Sequence, residues 1–444
     1  MATTSSGNSK SSELGKRALF TLSMLAIYRL CIYIAIPGVN SSVMSRLIES
    51  GKSTSFLGML NLFSGGAIEQ LSVFALGVMP YISASIVIQL LTMVVPFFDQ
   101  LQKEGEQGRK KLNQYTRYGA VLIAIVQAFF VVTNLQSGPF NEMLSRMHLN
   151  AVVLNPGWSF TVMAVWSMLV GTLLLMWVGE VITERGIGNG TSLLIFSGIV
   201  SKFPSAIYRL FEKVGSTGTN NLSFMELLLI GGIVFVVVAF VIYCERGQRK
   251  ILVQYAKRIV GQKEYGAQSV YLPLKINMSG VIPPLFASAI LMLPSYLAKF
   301  FNSSWAESFA DSWQYYVIYV PLIIFFSYFY TAVTFNPLDI AENMRKNGGF
   351  IPGIRPGKKT AEYIDGIISR LTFGGALYIS LICVLPAFLH SKFNVPFSFG
   401  GTSLLIVVGV ALDLMQQLQQ YTIDQNYVQM MAPKGGKIRA RSAG

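Results

Sequence analysis

The sequence predicts an all-α membrane protein of ten transmembrane helices in two inverted five-helix halves. Three observations carry that expectation. Of 444 residues, 52% are apolar and only 13% charged, about half the ~25% charge of a soluble domain. Mean hydropathy is +0.51. The apolar residues fall into ten long, nearly uncharged blocks that a water-facing fold has no means of burying.

A span needs ~20 mostly apolar residues. The first block, Ala18–Ile36, qualifies despite Arg29. It is too long for a signal-peptide core and no small-residue cleavage site follows it, so it reads as a retained span. Gln70–Phe98 follows with 29 uncharged residues, then Tyr118–Leu135 and Ser159–Gly179. Gly186–Ser201 is short at 16 residues, and a snorkelling Lys202 extends it. Leu227–Cys244, Ile276–Ala298, Tyr315–Leu338, Leu371–Leu389 and Phe393–Leu412 complete the ten.

Charge sets the orientation. With the N-terminus inside, 25 of the 35 basic residues fall on the cytoplasmic side and eight on the other, a strong positive-inside bias. Both termini are then cytoplasmic. Five spans per half, an odd number, inverts the halves relative to each other. An internal echo supports the repeat: Pro80-Tyr-Ile-Ser-Ala-Ser-Ile86 in span 2 resembles Pro284-Leu-Phe-Ala-Ser-Ala-Ile290 in span 7.

Several chemistries are excluded. Cys31, Cys244 and Cys383 are far apart and form neither a disulfide framework nor a zinc spacing. His148 and His390 are the only histidines, which rules out a histidine-rich metal site. Gly51-Lys52-Ser53 ends like a phosphate loop, but position 46 is Arg where that loop needs Gly, and Gly357-Lys358 has Pro at 352. No cofactor and no metal are expected. Within the spans, Arg29 sits about 16 Å along helix 1, and Asp413 ends span 10. A midplane charge is a functional candidate by default; its other reading is a structural partner on a neighbouring helix.

Two features ask for more than ten plain helices. The loops after spans 6 and 8 are long, basic and, around Arg355, rigid with Gly and Pro, as a docking surface for RNA phosphate or an acidic protein would be. Span 2 is over-long and interrupted by Gly65-Gly66, Gly77 and Pro80. A broken helix at membrane depth is tolerated where it is buried or lines a cavity, which points to a pore or a binding site.

At these residues the chain resembles the SecY family, the pore subunits of the bacterial Sec protein translocon. The segments that carry the resemblance run from Phe74 to Ile86, Glu184 to Gly190, Pro273 to Pro284, Asn336 to Asn343, Gly348 to Gly357 and Phe399 to Ile406. It implies an hourglass pore between the two halves, hinged between spans 5 and 6. A hydrophobic ring would narrow it at Ile82, Ile86, Ile187, Thr191, Ile282 and Ile406. The i, i+4 spacing of Ile82 with Ile86, and of Ile187 with Thr191, puts each pair on one helix face; lipid-facing or core packing is the plainer reading of each isoleucine. Thr191 departs from the family's apolar residue, and its hydroxyl is expected to bond back to the Ile187 carbonyl.

The family's plug, a short helix before span 2, maps to about residues 62–72, with Ser64, Gly65, Gly66, Ala67, Ile68, Glu69 and Gln70. A lateral gate between helices 2 and 3 and helices 7 and 8 would be bridged by Gln89, Thr92 and Asn189. Cytoplasmic docking would fall to Arg246, Arg249, Lys250, Lys257, Arg258, Arg355, Lys358 and Lys359.

The implied partners are SecE, SecG, the SecA motor ATPase, the ribosome, signal-bearing precursor proteins and the lipid bilayer. The implied place is the bacterial plasma (inner) membrane, and the implied role a passive channel that is not an enzyme. The expected organisation is a cytoplasmic tail over 1–17, a first half over 18–210 and an external hinge loop over 211–222. A second half over 223–420, with cytoplasmic loops 245–275 and 337–370, and a tail over 421–444 complete it. The rival reading is a secondary transporter for a small solute, and a second is a membrane scaffold that recruits ribosomes.

Overall fold

A computed structural model describes residues 5–49, 61, 64–136, 152–215, 224–255, 258–260, 263–265, 269–288, 290–291, 313–393 and 401–431. Its helices are α1 (Ser5–Cys31), α2 (Ser41–Glu49), α3 (Met79–Val94), α4 (Pro96–Lys103), α5 (Glu106–Gln136), α6 (Trp158–Arg185), α7 (Gly190–Val200), α8 (Phe203–Gly215) and α9 (Phe224–Arg246). Four strands follow, β1 (Gln248–Tyr255), β2 (Arg258–Val260), β3 (Lys263–Tyr265) and β4 (Ser269–Lys275). Residues 282–288 are helical. Then come α10 (Trp313–Thr334), α11 (Pro337–Lys346), β5 (Gly349–Phe350), α12 (Lys358–Phe393) and α13 (Gly401–Met431).

Among the described residues, seven helices are long and apolar enough to cross a bilayer, or eight if the bent pair α3 and α4 is one span. That pair breaks at Val95 because the proline at 96 has no N–H to continue the ladder. Span boundaries shift from the apolar blocks for local reasons. Span 1 stops being helical at Cys31, and Ala35 bridges Ser72 instead. Span 5 begins at Gly190, where the Asn189 side chain accepts from the Thr191 N–H as an N-cap. Span 8 ends at Thr334, since Asn336 caps a new helix with Pro337 at its first position. Spans 9 and 10 run past their apolar blocks into polar residues, as α12 and α13.

Large apolar side chains stand exposed along these helices, among them Leu19, Trp166, Trp177, Phe235 and Leu381. Contiguous exposure of this kind suits a hydrocarbon environment, where the backbone is satisfied within each helix. Inside, one core lies among α5, α6 and the 68–76 segment, and another among α9, α10, α12, α13 and the 282–288 helix.

The loop between spans 6 and 7 is β-structure, which the all-α expectation did not contain. β1 pairs antiparallel with β4 along seven positions, from Gln248↔Lys275 to Gln254↔Ser269. Its far end also pairs with β5, through Gln254↔Phe350 and Tyr255↔Gly349. A second, two-stranded sheet joins β2 and β3.

Candidate functional site

The centre of the helical bundle is apolar. Ile82 of α3 and Ile406 of α13 share one cluster with Ile195 and Ile199 of α7, and Val281 and Leu285 pack against it. Ile406 is 6% exposed. Ile86 and Ile282 pack on the adjoining core around Phe286, Ile379, Leu405 and Val408, and Val281 touches both clusters. Four of the six expected ring residues therefore lie on two contiguous cores.

Ile187 and Thr191 do not follow the expected geometry. Ile187 lies in the bend before α7, so the i, i+4 argument has no helix to act on. Its N–H donates to Thr21 Oγ1 at 3.1 Å, and its side chain is buried. The Thr191 hydroxyl bonds Asn189 Oδ1 at 2.7 Å rather than the Ile187 carbonyl. The residues that α7 gives to the central cluster are Ile195 and Ile199, themselves spaced i, i+4.

The 64–78 segment is a succession of turns and not the regular helix the resemblance implied. Positive φ at Gly65 (66°), Gly66 (93°), Leu71 (42°) and Gly77 (60°) interrupts any α-helical run. Ser64, Gly65, Gly66, Ala67 and Ile68 are buried, while Glu69 and Gln70 are half-buried. Leu62 and Phe63 lie outside the described residues.

The seat of this segment is made by helices of the first half. Arg29 of α1 donates from Nη1 to the Gly65 carbonyl at 2.9 Å. From Nη2 it donates to the Ser197 and Gly198 carbonyls at 2.9 and 3.1 Å. One guanidinium thus ties the segment to the C-terminal carbonyls of α7, where the helix dipole favours a cation. Lys202, just beyond α7, forms an ion pair with Glu69. Asn61 accepts the Glu69 N–H on Oδ1 at 3.2 Å. The backbone adds Ile36 N–H to the Leu71 carbonyl and Val73 N–H to the Ile34 carbonyl. Of the two readings of Arg29, this geometry is the structural-partner one. Nothing in the sequence paired Glu69 with Lys202, which stand 133 positions apart.

The three polar residues expected to bridge a gate are not brought together. Thr92 is buried, and its hydroxyl donates to the Gln89 carbonyl of its own helix at 2.6 Å. Asn189 caps α7, and the Gln89 side chain is exposed. What joins α3 to the second half is apolar: Ile86 and Leu90 pack on the core around Phe286 and Ile379.

The two basic loops form one platform. Alternation along β1 and β4 turns Ile251, Val253 and Leu274 inward, onto Met344, Ile351, Ile364 and Ile368 of the second loop. Arg246, Arg249, Lys250, Arg355, Lys358 and Lys359 are left exposed. The chain turns tightly before α12, and the Arg355 carbonyl accepts from the Thr360 hydroxyl at 2.9 Å. Lys257 lies outside the described residues, and Arg258 is described only as the first residue of β2. On the same side, Lys103 of α4 pairs with Asp99 at 2.8 Å. That hydrogen bond and charge, with a further contribution from Asp339 of α11, hold its ammonium above the ordinary lysine range. A cleft of about 430 Å³ lies between β1 and α13, lined by Arg246, Gln248, Lys250, Leu412, Met415, Gln416 and Gln419. Among the described residues no cluster of His, Cys, Asp or Glu is arranged to hold a metal. Asp413 is exposed on α13.

Comparison with known proteins bears on this arrangement along nearly the whole chain. The protein translocase subunit SecY of Escherichia coli (strain K12) is 47% identical over 424 residues, covering 94% of this chain and 93% of that protein. The subunit of the same name from Vibrio cholerae is 47% identical over 435 residues and covers 95% of each. Among solved structures, a protein-conducting channel superposes with a TM-score of 0.63 at 16% identity, covering 94% of both chains. Sec61 from a canine ribosome-channel complex gives 0.62 at 16% identity with the same coverage. Their fold of ten helices in two halves is the fold of this chain. The SecY family model matches residues 72–415, and the chain belongs to the SecY family.

Proposed function

We infer that this protein is the pore subunit of a protein translocase. It is a passive channel of the bacterial plasma membrane that moves unfolded secretory proteins across and releases apolar segments sideways into lipid. The observation that carries this is the 47% identity to translocase subunits along 94% of the chain. The comparisons do not support the solute-transporter reading.

The mechanism follows from apolar surfaces. A constriction of branched side chains at Ile82, Ile86, Ile282 and Ile406 disfavours water and ions when empty, which is gating by dewetting. Ile195 and Ile199 complete it better than Ile187 and Thr191. Such a ring makes no sequence-specific bonds, so it parts around an extended chain of any composition. The segment mapped to about 62–72, of which 64–72 are described and seat against α7, acts as its plug. The apolar seam of Ile86 and Leu90 against the second half is the lateral gate. An unsatisfied backbone group costs several kcal/mol in hydrocarbon, so only segments that form helices of ~20 apolar residues leave that way.

With no nucleotide site in the sequence, the energy comes from a partner. The exposed cations of the platform, with Arg355 foremost, receive the ribosome or the SecA motor. SecE and SecG accompany the subunit in the membrane. The termini and platform face the cytoplasm, and the halves divide at 211–222. The channel makes and breaks no covalent bond.

Site-specific photo-crosslinking tests the reading. A probe at Ile86, with a signal-bearing precursor stalled in transit, is expected to label the precursor's mature region. A probe that labels only lipid and neighbouring helices while the precursor is demonstrably stalled would put the polypeptide elsewhere and favour a scaffold role.

A further inference from the structure

We propose that Glu69 and Lys202 form an electrostatic latch that keeps the 64–72 segment in its seat, with Arg29 as the residue that positions the seat. The inference rests on the reading of that segment as a plug, and it identifies what retains it.

Four observations converge. The Glu69 and Lys202 side chains are only 16% and 26% exposed, so the pair is less screened than a surface ion pair. Removing either partner leaves a charge in a partly desolvated place, which costs more than the pair itself gains. Asn61 fixes the glutamate end twice: its Oδ1 accepts the Glu69 backbone N–H at 3.2 Å, and its Nδ2 donates to the carboxylate at Oε2 at 3.5 Å. Gly66 leaves room for the lysine: a Cβ there would lie 2.7 Å from Lys202 Cε and 2.9 Å from Nζ. Arg29 then holds the Gly65 carbonyl and the end of α7 in one grip, so the lysine that follows α7 is aimed at Glu69.

Among the described residues, the hydrogen bonds and the ion pair that hold 61–73 go to residues of the first half: Tyr28, Arg29, Ile34, Ile36 and Lys202. Separation of the two halves therefore does not by itself strain the latch. A competitor at Glu69 or Lys202 favours release, and a polypeptide in transit past the seat supplies one through its own charges and amides.

The test uses the full-length chain in its membrane complex, reconstituted in planar bilayers, with resting ion conductance as the readout. Glu69→Lys and Lys202→Glu are each expected to raise the resting open fraction about tenfold, the ratio set by an interaction of about 1.4 kcal/mol. The double exchange is expected to return to the wild-type level. Glu69→Gln and Lys202→Met, which keep the packing, leak in the same sense and serve if charge reversal prevents assembly. Variants as tight as wild type, beside a 62–72 deletion that leaks, would overturn the latch and leave the plug reading standing. A deletion that does not leak removes the plug reading and the latch with it. A double exchange as leaky as the single changes overturns the pairing.

Discussion

Gly65 packs so closely on Gly198 that a Cβ added to the first would lie 2.5 Å from the Cα of the second. No side-chain rotation relieves a backbone collision, and φ of +66° at Gly65 disfavours any larger residue. Gly65→Ala is therefore expected to lift the segment off α7 and raise resting ion conductance several-fold. Conductance of the reconstituted complex checks this, and an unchanged seal would mean that the segment adapts without leaving its seat.

Arg29 is a second weak point. Three backbone carbonyls converge on its guanidinium, and a lysine cannot span them with one ammonium. Arg29→Met strands the Gly65 carbonyl and takes the second donor from those of Ser197 and Gly198, which keep the Ser201 N–H and hydroxyl, at a cost of roughly 1–3 kcal/mol, and Arg29→Lys recovers only part. Thermal unfolding of the purified complex reads the effect as a lowered midpoint in the order wild type, lysine, methionine.

The central cluster makes a separate prediction. Ile406 and Ile195 belong to one buried apolar cluster, so a carboxylate at Ile406 brings water into it. Ile406→Asp is expected to leak ions, while Ile187→Asp is expected chiefly to destabilise the junction of α1 and α7. A leak from the 187 variant at normal stability would restore Ile187 to the ring.

On the platform, Arg355 is exposed, and it is its backbone, not its guanidinium, that accepts the bond from Thr360. Arg355→Glu should therefore leave assembly and melting unchanged while lowering partner-driven precursor transport by an order of magnitude. Transport assays in inverted vesicles decide it; wild-type transport would take Arg355 out of the docking surface.

Much of this architecture is legible in the chain itself. The apolar blocks locate the spans, and the interruption at Gly77 and Pro80 is where α3 begins; the block Tyr315–Leu338 instead overruns the Asn336 cap, which ends span 8 at Thr334. What escapes has a physical reason. The pairing of Tyr255 with Gly349 joins residues 94 positions apart, and no local pattern announces it; the alternation in β1 reads as an ordinary loop between basic residues. Helical spacing would pair Ile187 with Thr191, yet the helix begins at Gly190 because Asn189 caps it. Thr191 spends its hydroxyl on that cap. Arg29 was visible as an odd charge in an apolar block, but its carbonyl partners come from turns at 65 and a helix end at 198, which only the tertiary fold assembles.

The short strand β5 has a mechanical consequence. Because Gly349 and Phe350 add to the edge of β1, and Met344, Ile351, Ile364 and Ile368 share its buried face, the two loops are welded into a single stiff handle. A foothold on either loop then applies torque at once to the ends of α9, α11 and α12. A partner needs to grasp only one side of the handle to lean on most of the second half.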